Sequence, residues 1–178
     1  MLCSENSAEG LSASLEDYLE VIFHLEQSNR VARAKDIAEQ MSVQRASVTG
    51  ALKALAGRGL INYSPYSFIT LTDSGREIAR EVIRRHKVLK EFFVNTLQLG
   101  AEDAEANACR IEHAIDPTAT ERLVRFLEFV SICPRTGNDW FDAFGRFCEL
   151  GSQTSDCLAC LKLCTERLLT RRLPEQEG

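Results

Sequence analysis

Residues Arg33–Ile61, RAKDIAEQMSVQRASVTGALKALAGRGLI, read as two short helices joined by a tight turn. The first runs from about Ala34 to Met41, the turn covers Ser42 to Gln44, and the second runs from about Arg45 to Ala56 before Gly57 and Gly59 stop it. Val48, Leu52 and Leu55 recur at helical spacing and predict the inward face of the second helix. Ala38, Ala46 and Ala51 are small enough for the two helices to approach closely across the turn. The pattern is that of a helix-turn-helix.

The flanking sequence extends it. LINYSPYSFITLTD alternates on either side of Ser64-Pro65-Tyr66-Ser67 and predicts a two-stranded wing. Upstream, SASLEDYLEVIFHLEQ opens with a serine cap and places Leu15, Leu19, Ile22, Phe23 and Leu25 on helical spacing. Downstream, Thr72 or Asp73 caps a long helix to about Leu97, whose apolar stripe is Ile78, Val82, position 86, Leu89 and Phe93. Gly100 ends it, and two helices follow, about Glu102 to Ile115 and Ala119 to Val130, separated by Asp116-Pro117. The fold class expected is mainly α, in three parts: a winged helix-turn-helix over 1–73, a helical domain over 74–132 and a Cys-rich helical extension over 133–178.

Composition narrows the function classes. The chain has 178 residues, 44% of them apolar and 26% charged, which is the balance of a soluble globular protein. No apolar run approaches a membrane span, and the polar start MLCSENSAEG lacks the order of a secretory signal, so a cytoplasmic address is expected. Seven cysteines, an odd number, then read as thiols or metal ligands rather than a disulfide framework. The net charge is −5, yet Arg30 to Leu60 holds six basic residues against two acidic ones. A DNA reader needs only a basic face. Arg33, Lys35, Gln44, Arg45, Ser47, Thr49 and Lys53 are the residues expected to meet phosphates and base edges. The competing reading of helix, helix and wing is a protein-interaction module with a solvated polar face. No catalytic signature is visible, and a non-enzymatic role is expected.

Three stretches carry ligand chemistry. Spacing of i, i+3 and i+4 puts Cys109, Glu112 and His113 on one side of a helix, beside the stripe Ala104, Ala108, Ile111 and Ile115. His86 occupies an apolar stripe where packing alone would ask for Leu or Val. Asp17 and Glu20 stand one turn apart on the first helix, with His24 on the same face. Each has an ordinary structural reading. Together they offer carboxylates, imidazoles and a thiol, a mixture suited to a first-row divalent ion.

LEDYLEVIFHLE, AKDIAEQMSVQRASVTGALKALAGRGLI, LTDSGREIA, RRHKVLKEFF and ACRIEHAID, in that order, make the chain from about Leu15 to Val130 resemble the diphtheria-toxin-repressor and manganese-transport-regulator family of metal-dependent repressors. The resemblance implies a homodimer that binds palindromic operator DNA when Fe(II) or Mn(II) ties the first helix to the dimerisation helices. It implies ligand roles for Asp17, Glu20, His86, Glu112 and His113. Cys109 matches the cysteine of the iron branch, where the manganese branch has a carboxylate. Glu105 stands where the iron branch has a histidine and can still ligate; Lys90 stands where that branch has a carboxylate and cannot.

The tail departs from both branches. Cys148, Cys157, Cys160 and Cys164 put four thiols within 17 residues, a complete ligand set for zinc or an iron-sulfur cluster. Cys157, Cys160 and Cys164 also share one helix face with Leu161 and Leu168 and read equally as small core residues. The functional expectation is a metal-responsive transcriptional repressor of metal-homeostasis genes, with Fe(II) favoured. Two alternatives stay beside it: a redox or iron-sulfur-responsive regulator, and a metalloprotein that uses its wing for protein contacts.

Overall fold

The computed structural model describes residues 10–29, 31–64 and 67–133, with 141, 144, 145, 147 and 148. In chain order these form α1 (Ala13–Asn29), α2 (Ala34–Gln40), α3 (Arg45–Gly57), β1 (Ile61–Asn62), β2 (Thr70–Leu71), α4 (Asp73–Glu91), α5 (Ala101–Ile111) and α6 (Pro117–Ile132). Among the described residues no helix is long and apolar enough to cross a membrane.

The chain divides into two compact units. One runs to Lys87 and takes in Cys109–Ala114; the other holds Val88–Ala108 and the residues from Ile115 onward. In the first unit α1, α2, α3 and the wing enclose one core in which Leu19, Ile22, Ile37, Val48, Leu52, Leu55 and Ile69 are fully buried. The inward face expected for α3 is therefore the one observed. Ser42 holds a φ of +54°, the left-handed turn residue that redirects the chain from α2 into α3. Ala46, expected between the helices, is exposed, while Val48, Leu52 and Leu55 form the buried face of α3.

The wing is shorter than the alternation predicts, with Ile61 opposite Leu71 and Asn62 opposite Thr70. A third segment joins it through a bridge between Ala32 and Ile69. Glu26 of α1 bolts this assembly together. One carboxylate oxygen accepts from the Leu71 amide at 2.8 Å, and the other pairs with Arg76 of α4 at 2.8 Å. Thr72 caps α4, its Oγ1 accepting from the Gly75 amide at 3.2 Å.

In the second unit α4 widens into a π-helical turn over Phe92–Thr96. Asp116 caps α6 by accepting from the Ala119 amide at 2.9 Å, with Pro117 in the first turn. Phe126, Phe129 and Ile132 recur three apart along α6 and stay 40, 51 and 77% exposed.

Candidate metal centre

Three elements of the first unit bring the ligand-like residues together. On α1 the buried stripe Tyr18, Leu19, Ile22 and Leu25 points inward, which leaves Glu16, Asp17 and Glu20 along its margin. On α4, Arg85 and His86 come just ahead of Lys87, where the unit's first stretch ends. The third element differs from expectation. α5 ends at Ile111, and Glu112–Ala114 form a turn closed by the Ala114 amide donating to Ile111 O at 2.8 Å. Glu112 and His113 therefore lie in this turn rather than in the helix that carries Cys109.

The turn lets both residues reach partners far away in sequence. His86 Nδ1 lies 2.6 Å from Glu112 Oε2, and Cys109 Sγ lies 3.9 Å from the same nitrogen. His113 Nε2 lies 2.8 Å from Asp17 Oδ1 and 3.2 Å from Glu112 Oε1, while its Nδ1 lies 2.7 Å from Glu16 Oε2. Two groups with ligand atoms within 4.8 Å of one another result, His86–Cys109–Glu112 and Asp17–Glu112–His113. Glu112 belongs to both.

Glu20 is in neither group; its carboxylate lies 3.5 Å from His24 Nε2, although its charge still acts on Glu112. Glu105, expected as a possible further ligand, is ion-paired to Lys90 at 2.7 Å. Cys148 is exposed, and Cys157, Cys160 and Cys164 lie outside the described residues. Glu16 and Arg85 went unselected in the sequence. An acid beside Asp17 and an arginine beside His86 were the available signals, and both look like ordinary helix-surface charges until the third element is in place.

The electrostatics fit a cation. Glu112 is only 3% exposed. Burial pushes its carboxyl above the usual carboxylate range, the hydrogen bond and charge of His86 pull it partly back, and Glu20 pushes it up again. For His113, burial opposes the charged imidazolium, but the hydrogen bond to Glu16 and the charges of Asp17, Glu112 and Glu16 outweigh it and hold the pKa above the ordinary value. A buried acid, Glu112, and the less buried Asp17, set beside two imidazoles and a thiol, form a donor set suited to a first-row divalent ion. The residues present therefore fit such an ion.

The residues expected to read DNA are all exposed in the first unit. Gln44 stands at the N-terminus of α3, and Gln44, Arg45, Ser47, Thr49 and Lys53 are all exposed. Thr49 donates its hydroxyl to Arg45 O at 3.0 Å, which leaves it an acceptor. The Arg33 guanidinium stacks over the Phe68 ring at 5.2 Å, and Lys35 pairs with Glu39 at 3.6 Å. Tyr66 of the wing lies outside the described residues.

Comparison with known proteins bears on both surfaces. Residues 10–69 match the family description "Iron dependent repressor, N-terminal DNA binding domain", and residues 72–141 match "Iron dependent repressor, metal binding and dimerisation domain". An uncharacterised HTH-type transcriptional regulator of Methanocaldococcus jannaschii is 38% identical over 119 residues, 66% of this chain and 95% of that protein. The HTH-type transcriptional regulator MntR of Geobacillus kaustophilus is 31% identical over 116 residues, 65% of this chain and 82% of its own length. A solved manganese-dependent transcriptional repressor in complex with manganese superposes with a TM-score of 0.60 at 32% identity, over 65% of this chain. That match spans only 53% of the solved chain.

Proposed function

Because this chain belongs to the iron-dependent repressor family, we propose that it is a divalent-metal-responsive transcriptional repressor, with Fe(II) favoured over Mn(II). The observation that carries this reading is the position of Glu112, shared by two ligand groups that draw on α1, α4, the end of α5 and the turn after it. Asp17, Glu112 and His113 would hold the ion, with His86 and Cys109 beside them and Glu20 as an added carboxylate. A bound dication supplies positive charge among these acids. Asp17 on α1, His86 on α4 and the Glu112-His113 turn would then be tied to one point, and the helix carrying Asp17 packs directly against the reading module.

Gln44, Arg45, Ser47, Thr49 and Lys53 on α3, with Arg33 and Lys35, would contact palindromic operator DNA. Phe126, Phe129 and Ile132 supply the apolar face for a homodimer. Two reading helices then meet successive major grooves ~34 Å apart. Metal acts only through its greater affinity for the DNA-competent arrangement. The division into a reading domain over 1–73, a metal-binding and dimerisation domain over 74–132 and a Cys-rich extension over 133–178 fits this use. A zinc ion or iron-sulfur cluster at Cys148, Cys157, Cys160 and Cys164 rests on their spacing alone.

The preference for Fe(II) follows from Cys109, since a thiolate suits softer ions than the carboxylates do. Anaerobic competition titrations with Fe(II) and Mn(II) test it. The native chain is expected to bind Fe(II) more tightly, and Cys109→Asp is expected to narrow the ratio. An unchanged ratio would remove Cys109 from the site.

A pH dependence also follows. His113 keeps its proton above the ordinary 6.5, and a proton on Nε2 competes with a cation. In the metal-free protein the His113 contribution to stability is complete below 6.5 and is lost as pH rises through the raised folded value. Glu112 acts in the same direction, because a raised carboxyl pKa makes ionisation above 4.5 costly to the fold. Metal-free Tm is therefore expected to fall as pH rises above 6.5, and the rise in Tm on adding Mn(II) is expected to grow as it does. A rise in Tm independent of pH would contradict the assignment of His113.

A further inference from the structure

His113 has a different partner on each ring nitrogen. Nε2 faces Asp17 at 2.8 Å and Glu112 at 3.2 Å, the two residues with which it forms a ligand group. Nδ1 faces Glu16 Oε2 at 2.7 Å, and that same oxygen accepts from Arg85 Nη2 at 3.4 Å. The Glu16, Arg85 and His113 side chains are 14, 12 and 13% exposed, so this chain of contacts is largely shielded from water.

An imidazole ligates through one deprotonated nitrogen, and the partner of the other nitrogen decides which one that is. Carboxylates face both nitrogens, but those at Nε2 belong to the ligand group and Glu16 does not, so an ion there takes Nε2 and leaves the hydrogen on Nδ1, toward Glu16, which can only accept. We propose that Glu16 is a positioning residue that fixes the tautomer and ring orientation of His113, and that Arg85 holds Glu16 in place and away from ligation. The idea rests on the metal-site reading above. It also accounts for two pairs of neighbours in sequence. Glu16 precedes Asp17 and Arg85 precedes His86, and successive helical positions point roughly 100° apart. Each helix therefore presents a ligand on one side and a positioning group on the next. Bringing α1 and α4 together sets both at once.

Two measurements on the full chain test the proposal. The first is imidazole ¹⁵N NMR of the metal-free protein at a pH where His113 is neutral. Relative to the native chain and Glu16→Gln, Glu16→Ala is expected to shift the equilibrium from Nδ1–H toward Nε2–H, because Asp17 and Glu112 still accept at Nε2 and nothing does at Nδ1. The second is Mn(II) titration followed by electron paramagnetic resonance. Glu16→Ala is expected to lose about 10–100-fold in affinity, as loss of an outer-shell partner does. Glu16→Gln, whose amide oxygen still accepts from Nδ1–H, loses much less, and Arg85→Ala falls between them. Native tautomer and affinity in Glu16→Ala would overturn the positioning role. Equal losses in Glu16→Gln and Glu16→Ala would also overturn it, because they would make Glu16 a ligand. If His113→Ala binds Mn(II) like the native chain, the metal-site reading itself fails, whatever the tautomer result.

Discussion

Replacing Glu112 with glutamine is expected to abolish metal-dependent DNA binding while leaving the metal-free fold intact. Glu112 belongs to both ligand groups, so one substitution weakens both. The loss of metal affinity should exceed the roughly 10–100-fold that follows removal of an outer-shell partner. The fold is expected to survive for a separate reason. Glutamine has the same shape, its amide oxygen still accepts from His86 Nδ1–H, and the cost of burying a carboxylate disappears. Metal-free Tm of Glu112→Gln should therefore match or exceed the native value at pH 7 and above. Mn(II) titration and thermal unfolding of the same preparation separate the two effects. Native metal affinity in this variant would remove Glu112 from the site; a collapse of the metal-free Tm would make its role structural.

Gly75→Ala is expected to be the most damaging single-methyl change in the first unit. A Cβ at position 75 would sit 2.0 Å from Leu60 O and 2.9 Å from Leu60 C, both backbone atoms. No side chain is available to rotate away. Leu60 O also accepts from the Thr72 amide at 3.0 Å, so a shift of the strand strains the entry to α4, and a shift of α4 loosens the Thr72 cap. Overpacking of this kind costs about 3 kcal/mol or more. For a unit of this size the loss corresponds to roughly 10 °C or more in Tm. DNA affinity should fall with it, since the wing and α4 would no longer hold their places. A Tm within a degree or two of native would show that the close approach at Leu60 is readily relaxed.

Much of the reading module was legible because its signals are local. Val48, Leu52 and Leu55 mark the buried face of α3 by spacing alone; Gly57 is the last residue of the helix, and Gly59 at a φ of +69° follows its end. The third strand segment was not legible, because a single bridge at Ala32 leaves no alternation to find. Nor was the end of α5. Cys109, Glu112 and His113 fit helical spacing, and no breaker intervenes before Pro117, yet the backbone turns at Glu112. What competes there is tertiary: the turn lets a buried acid reach α4 and an imidazole reach α1. Asp17, His86, Glu112 and His113 converge as their types suggested, whereas Glu16 meets a partner 97 residues later. Sequence spacing carries no information about a contact at that separation. Glu20 and Glu105 had the right chemistry and are held instead by His24 and Lys90.

DNA affinity is expected to depend on metal. A duplex recovered by the full chain from a random pool in Mn(II) serves as the probe, and its binding is followed by fluorescence anisotropy in Mn(II), in anaerobic Fe(II) and in chelator at fixed ionic strength. Tight binding in either metal with at least a tenfold loss in chelator, about 1.4 kcal/mol of coupling, is the expected result. Equal affinity in metal and in chelator would contradict it.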